Sequence, residues 1–249
     1  VRGGINLVSQ LSLEERERGV IAASTGNHGQ SVAYAARLFG VKAIIVVPEN
    51  ANPGKVAAMQ GMGAEVIFHG ANYDQSKLHC EMLAQEHGYR YIHSGNEPLL
   101  IAGVATEALE MLEEEPELEV IVVPIGGGTG AAGVSIVAQA VNPHIQVIGV
   151  QSEASRAAYE SWRQKRIVEA PNRTFAEGLA TGVAFELPQK IMQAMVWMIE
   201  RAHTLAEGAG AASLAAAYRM RDRLKGKKVG LICSGGNTSL DHLKRVLAL

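Results

Sequence analysis

Short runs of apolar, mostly β-branched residues alternate along the chain with longer stretches whose apolar positions recur every three or four residues. The runs read as buried strands, and the periodic stretches read as helices with one face on a core. Val20-Ile21-Ala22-Ala23 predicts a strand, His28 to Phe39 a helix that Gly40 ends, and Ala43 to Val47 a strand stopped by Pro48. Pro53 to Met62 predicts a helix, Glu65 to Phe68 a strand and Tyr73 to His87 a helix, with Tyr91-Ile92 closing the unit. Ahead of these, Ile5, Leu7, Val8 and Leu11 mark a leading helix after Arg2-Gly3-Gly4, and Glu14 to Arg18 reads as a solvated turn. Further on, Leu100 to Glu115 predicts a helix, Val120 to Pro124 a buried strand, Ala131 onward a helix and Val147 to Val150 a strand. Met192 to Ala206 and Ala211 to Leu224 predict helices, and Val229 to Ile232 a strand.

Strands that alternate with helices imply parallel sheets with right-handed crossovers. The predicted class is therefore α/β, with two doubly wound lobes: a small one over 1–95, including its leading helix, and a large one over 96–249. Ligands of such sheets bind at the C-terminal ends of the strands, so a cleft between the lobes is the expected site.

The glycines sharpen this picture. The chain holds 27, above the average share of about 7%, and they gather in short tracts after strands. Gly126-Gly127-Gly128-Thr129-Gly130 follows a short β-branched strand and precedes a helix, so its backbone N–H groups can converge on an anion without Lys or Arg. It is not a Walker A loop, because no Gly-Lys-Ser/Thr follows. It matches the dinucleotide fingerprint through Gly126, Gly128 and Ala131, with Glu153 after the next strand as a ribose ligand. It equally suits the phosphate of a smaller cofactor such as pyridoxal 5′-phosphate (PLP), and a glycine-rich turn that binds nothing is the third alternative.

Composition removes other classes. A length of 249 residues, 47% hydrophobic and 19% charged, suits a globular enzyme, and a net charge of −2 without any basic cluster argues against nucleic acid or an anionic membrane as partner. No apolar run approaches the roughly 18 residues of a membrane span, and no signal segment opens the chain. Cys80 and Cys233 lie in neither zinc nor redox spacing and read as reduced thiols of a cytoplasmic protein.

Four tracts, Val1-Arg2-Gly3-Gly4, Ser24-Thr25-Gly26-Asn27-His28-Gly29, Gly126 to Gly130 and Ser234-Gly235-Gly236-Asn237, together resemble the fold-type II PLP enzymes. The resemblance is to their threonine/serine dehydratase and serine racemase branch, with a tryptophan synthase β-like fold, and covers essentially the whole chain. A Rossmann oxidoreductase requires none of the first, second and fourth tracts. The resemblance implies that Gly126, Gly127, Gly128, Thr129 and Gly130 hold the cofactor phosphate, that Asn27 donates to its phenolic oxygen, and that Ser234 faces its pyridine nitrogen. Ser24, Thr25, Gly26 and His28 would seat the carboxylate of an amino-acid substrate, although a His at a helix start is commonly a packed side chain. Gly178, in a Thr174 to Thr181 segment like the one that covers the cofactor, Thr181 beside substrate and Glu207 beside the cofactor complete the set.

The implied activity is a PLP-dependent ammonia-lyase that converts a β-hydroxy amino acid such as threonine or serine to a 2-oxo acid and ammonia. A racemase using Thr25 on the opposite face is one alternative; an NAD-linked oxidoreductase and a catalytically silent PLP-fold binding protein are others. A homodimer or larger homo-oligomer is expected. Gln151 stands where relatives often carry a metal-binding Glu, so no metal is expected there, and Gly208 replaces a proline after Glu207. The stretch from Ala184 to Glu207 is shorter than in relatives by about a strand and a turn, which predicts that the native chain is not contiguous near Met192. Lys55 reads as part of a solvated helix, and no lysine here has the setting of a Schiff-base lysine. The family motif instead implies a lysine immediately before Val1, as cofactor anchor and base, and the N-terminal part of the large lobe is expected to be missing from the chain.

Overall fold

The computed structural model describes residues 1–153, 156–169 and 187–248, and it divides into two units, Val1–Val104 and Ala105–Leu249. The division falls inside the helix Pro98–Glu114, beyond the position 95 read from the sequence.

The first unit is built on four parallel strands, β1 (Val20–Ala23), β2 (Ala43–Val47), β3 (Glu65–Phe68) and β4 (Arg90–Tyr91), in the order β3-β2-β1-β4. Both faces of β1 and β2 are buried, which is why these strands read as continuous apolar runs instead of alternating ones. Val20, Ala22, Ala43, Ile45 and Val47 pack on one face against helices α1 (Arg2–Ser9), α3 (Asn27–Phe39) and α4 (Pro53–Gly61). Ile21, Ala23, Ile44 and Val46 pack on the other against α5 (Tyr73–His87), through Cys80 and Ala84. Burial pushes the Cys80 thiol up to about 12, so it serves as a small hydrophobe.

Glu14 to Arg18 is not a solvated turn: α2 (Leu13–Arg18) is a helix, started by a reciprocal capping box in which Ser12 accepts from Glu15 N–H and Glu15 accepts from Ser12 N–H. The charge run hid that Ser-x-x-Glu signal.

The second unit holds β5 (Val120–Pro124), β6 (Gln146–Val150) and β7 (Val229–Leu231), all parallel, in the order β6-β5-β7. Ile121 and Val123 face a core with α6 (Pro98–Glu114) and α7 (Thr129–Val141), while Val120 and Val122 face α10 (Gly208–Arg219) and α11 (Arg221–Leu224). A third cluster joins α10 to α9 (Leu187–Ala202) and α12 (Leu240–Leu247), and α8 (Ala157–Gln164) follows β6 in the chain. Of these, α7 begins at Thr129, before the predicted Ala131, because Gly128 at φ +93° supplies the left-handed residue that turns the chain into its first turn. α9 ends at Ala202 and does not reach Ala206, since His203 leaves the helix at φ +50°. The single helix predicted over Ala211 to Leu224 is divided at Met220, whose N–H is shared between the carbonyls of Ala216 and Ala217.

Strand order marks one position in each sheet. In the first, the chain moves outward from β1 to β2 and β3, then returns to the opposite side of β1 as β4. In the second, β6 and β7 flank β5 in the same way. The C-terminal ends of β1 and β5 are therefore topological switch points, where crossovers diverge and leave room for a ligand.

Candidate active site

The loop after β1 is Ser24 to Gly26, leading into α3. Ser24 is buried; its N–H continues the sheet to Val46 O, and its Oγ accepts from Gly26 N–H at 3.0 Å and Gly29 N–H at 2.8 Å. That serine is thus the staple that shapes the turn, while Thr25 and Asn27 are exposed. Gly29 has no alternative, because a Cβ there would meet Met59 Sδ at 2.5 Å and Ser24 Cβ at 3.0 Å.

His28 follows at the helix start, and its Nε2 lies 3.1 Å from Ile92 O. A carbonyl only accepts, so Nε2 carries the hydrogen, and the ring is committed to the segment after β4. Burial holds its pKa below the usual histidine range, against the raising effect of that hydrogen bond, and His93 lowers it further. Nearby, buried Glu97 is gripped by both Arg90 terminal nitrogens at 2.8 Å.

The neutral form of His28 is the folded form, so the unfolded chain takes up the proton first as pH falls through the ordinary histidine value of about 6.5. Stability is unaffected above that pH and declines below it. In His28→Gln, whose amide can still donate to Ile92 O, the urea midpoint should drop less between pH 7.5 and pH 5 than in the wild type; an equal or larger drop would contradict this assignment.

At the end of β5, Ile125 N–H continues pairing to Val150 O, and Gly126 to Gly128 bend into α7. A Cβ on Gly127 or Gly128 would enter open space, and Gly128 requires glycine through its φ of +93°. The first-turn N–H groups of Thr129, Gly130 and Ala131 have no intrahelical acceptors in a standard helix start. With no acidic or basic side chain from Ile125 to Val141, attraction for an anion on this stretch comes from backbone donors and the helix dipole. This donor set fits a phosphate monoester.

β7 runs beside β5, and Ile232 N–H extends their pairing to Val122 O, so the Ser234 to Asn237 loop leaves the same sheet edge as the glycine loop. Ser234 is exposed. The loop rests on the start of α10: Gly235 O accepts from Glu207 N–H at 3.0 Å, and a Cβ on Gly210 would overlap Gly235 O. Glu207 is buried at the N-cap position of α10. Burial and the charge of Glu207 both raise the pKa of the Cys233 thiol.

Gly178 and Thr181, like the rest of the Thr174 to Thr181 segment, lie outside the described residues, as does Phe185. Gln151 Oε1 accepts from Tyr159 N–H at 3.0 Å, and among the described residues no group of three or more His, Cys, Asp or Glu is placed to hold a metal. No described helix is long and apolar enough to cross a membrane.

Lys55 does not lie on a solvated face: it is only 7% exposed, and its Nζ is 3.1 Å from where a Cβ on Gly26 would stand. Asn52-Pro53, an N-cap followed by N1 proline, puts Lys55 in the first turn of α4, and a cation opposing the helix dipole there was the available signal.

Two parallel α/β units, each carrying a glycine-containing turn at its switch point, define a cofactor-binding enzyme architecture. Comparison with known proteins makes that class specific. Residues 1–235 match the family model described as pyridoxal-phosphate dependent enzyme. The L-threonine ammonia-lyase of Thermotoga maritima is 38% identical over 264 residues, covering 99% of this chain and 66% of that protein, so the chain spans about two thirds of that relative's length. A catabolic L-threonine dehydratase of Staphylococcus aureus is 35% identical over 266 residues, with coverage of 99% and 77%. Among solved structures, the processed threonine deaminase isoform 2 of Solanum lycopersicum superposes with a TM-score of 0.91 at 28% identity, over 99% of this chain and 78% of that one. Maize serine racemase superposes with a TM-score of 0.90 at 31% identity, with coverage of 99% and 82%. The chain belongs to the family of pyridoxal-phosphate dependent enzymes. The dinucleotide reading of Gly126, Gly128, Ala131 and Glu153 is thereby set aside; Glu153 is exposed and paired with Arg219 at 3.5 Å.

Proposed function

We propose that the protein is a PLP-dependent ammonia-lyase that takes a β-hydroxy amino acid, threonine or serine, to a 2-oxo acid and ammonia. The observation that carries the reading is a neutral hydroxyl, Ser234, on the loop beside the phosphate-type turn, in a chain whose relatives include named threonine ammonia-lyases.

In this reading Gly126 to Gly130 hold the cofactor phosphate through backbone N–H groups and the Thr129 hydroxyl. Asn27 is assigned to the phenolic oxygen and Ser234 to the pyridine nitrogen, with Gly178 and Glu207 near the cofactor. When bound, PLP supplies an electron sink for the α-carbon. A hydroxyl at Ser234 does not hold a proton on the ring nitrogen as an aspartate would, which limits the sink and favours early loss of the β-hydroxyl. Thr25, Gly26, the backbone N–H of His28, and Thr181 orient the substrate, with Ser24 shaping the turn from Thr25 to His28. The reading requires an amine that anchors the cofactor and takes the α-proton. The same reading makes the protein a cytoplasmic homo-oligomer.

A racemase is the second reading, favoured by the exposed Thr25 hydroxyl and by the likeness to maize serine racemase. Chiral analysis of L-threonine and L-serine incubations tests both. The lyase reading expects one 2-oxo acid per ammonia and little D-amino acid; D-serine as the main product would contradict it.

A further inference from the structure

Lys55 is the only lysine or arginine that is buried among the described residues. Three ordinary terms disfavour it there: loss of hydration around an ammonium, a cation in the first turn of a helix, and the freezing of a long side chain. Asn52 nevertheless fixes the start of α4 at this point, its Oδ1 accepting from Gly54 N–H at 2.9 Å and Lys55 N–H at 3.3 Å. The stem and ammonium lie against Gly26, where a Cβ would come within 2.9 Å of Cδ, 3.1 Å of Nζ and 3.4 Å of Cε. Gly26 therefore leaves the space that the lysine fills. The turn from Ser24 to Gly29 contains no Lys or Arg of its own, and its single titratable ring, His28, is kept neutral by burial.

We infer that Lys55 is a positioning residue: it seats the Ser24–Asn27 turn and gives it the preference for a carboxylate that its own uncharged residues lack. This rests on the proposed amino-acid chemistry, but not on turnover. A positive charge held against the turn would favour an anionic ligand over a neutral one of the same size, which a merely structural lysine would not do.

The test is titration calorimetry on the full-length, PLP-loaded protein with L-alanine and L-alaninamide, which have no β-hydroxyl to eliminate and differ in the charge of one group. The wild type should prefer L-alanine. Lys55→Met should weaken L-alanine about tenfold and L-alaninamide less than about twofold, and Lys55→Arg should restore L-alanine to within about threefold. In turnover the same loss should appear in KM, with kcat held within about twofold. Should Lys55→Met fold poorly, Lys55→Gln, which keeps a polar side chain without the charge, should show the same selective loss. Equal weakening of the two ligands, no change in either, or a wild type indifferent to the carboxylate would each overturn the inference. Failure of the lyase reading is seen separately, as absence of 2-oxo acid from wild-type protein.

Discussion

Alanine at Gly210 will destabilise the second unit by about 3 kcal/mol, although alanine in place of glycine inside a helix ordinarily stabilises by about 0.5–1 kcal/mol. The sign reverses because the added methyl would overlap Gly235 O and stand 3.2 Å from Gly235 N, both backbone atoms that cannot swing aside. The loop must move to admit it, and that loop carries Ser234. Urea unfolding of Gly210→Ala should therefore show a lowered midpoint together with faster PLP release. Gly61→Ala, at the end of α4 with nothing within 4 Å of the new Cβ, is the matched control and should be neutral or slightly stabilising. A Gly210→Ala protein as stable as the Gly61→Ala protein would show that the loop is not seated on α10 as described.

The second large effect is chemical. Ser234→Asp should lower kcat/KM for elimination by about a hundredfold, near 2.7 kcal/mol of transition-state stabilisation. In the proposed site a carboxylate at that position would keep the pyridine nitrogen protonated, so charge would settle in the ring instead of expelling hydroxide. The same variant should accumulate pyridoxamine phosphate during turnover, a side product that simple damage to the loop would not create. Asn27→Ala should also depress elimination, without that side product. Unchanged turnover in both variants would remove these residues from the site.

What the sequence revealed depends on how local the determinant was. β1, β2 and β5 were legible as apolar runs because both faces of each are buried, and the glycine tracts were legible because backbone geometry leaves a compositional mark. The short helix α2 is hidden in the sequence, because its Ser12–Glu15 capping box lies against a run of charged residues that reads as a solvated turn. Helix ends were displaced where a non-glycine residue such as His203 takes a left-handed conformation, which no residue type announces. Lys55 was lost for a different reason: its burial is created by Gly26 on another element, and pairings of that kind are invisible to periodicity. Ser24 was recognised as part of the turn, yet its inward-directed hydrogen bonds to Gly26 and Gly29 came only with the structure.

The most direct measurement of the central claim is titration of the cofactor-free, full-length protein with PLP, pyridoxal and NAD, followed by visible absorbance and equilibrium dialysis. The account predicts one PLP per chain with a yellow absorbance band, markedly weaker binding of pyridoxal because the proposed role of Gly126 to Gly130 is to hold the phosphate, and no tight binding of NAD. Tight NAD binding without PLP uptake, or equal affinity for pyridoxal and PLP, would contradict it.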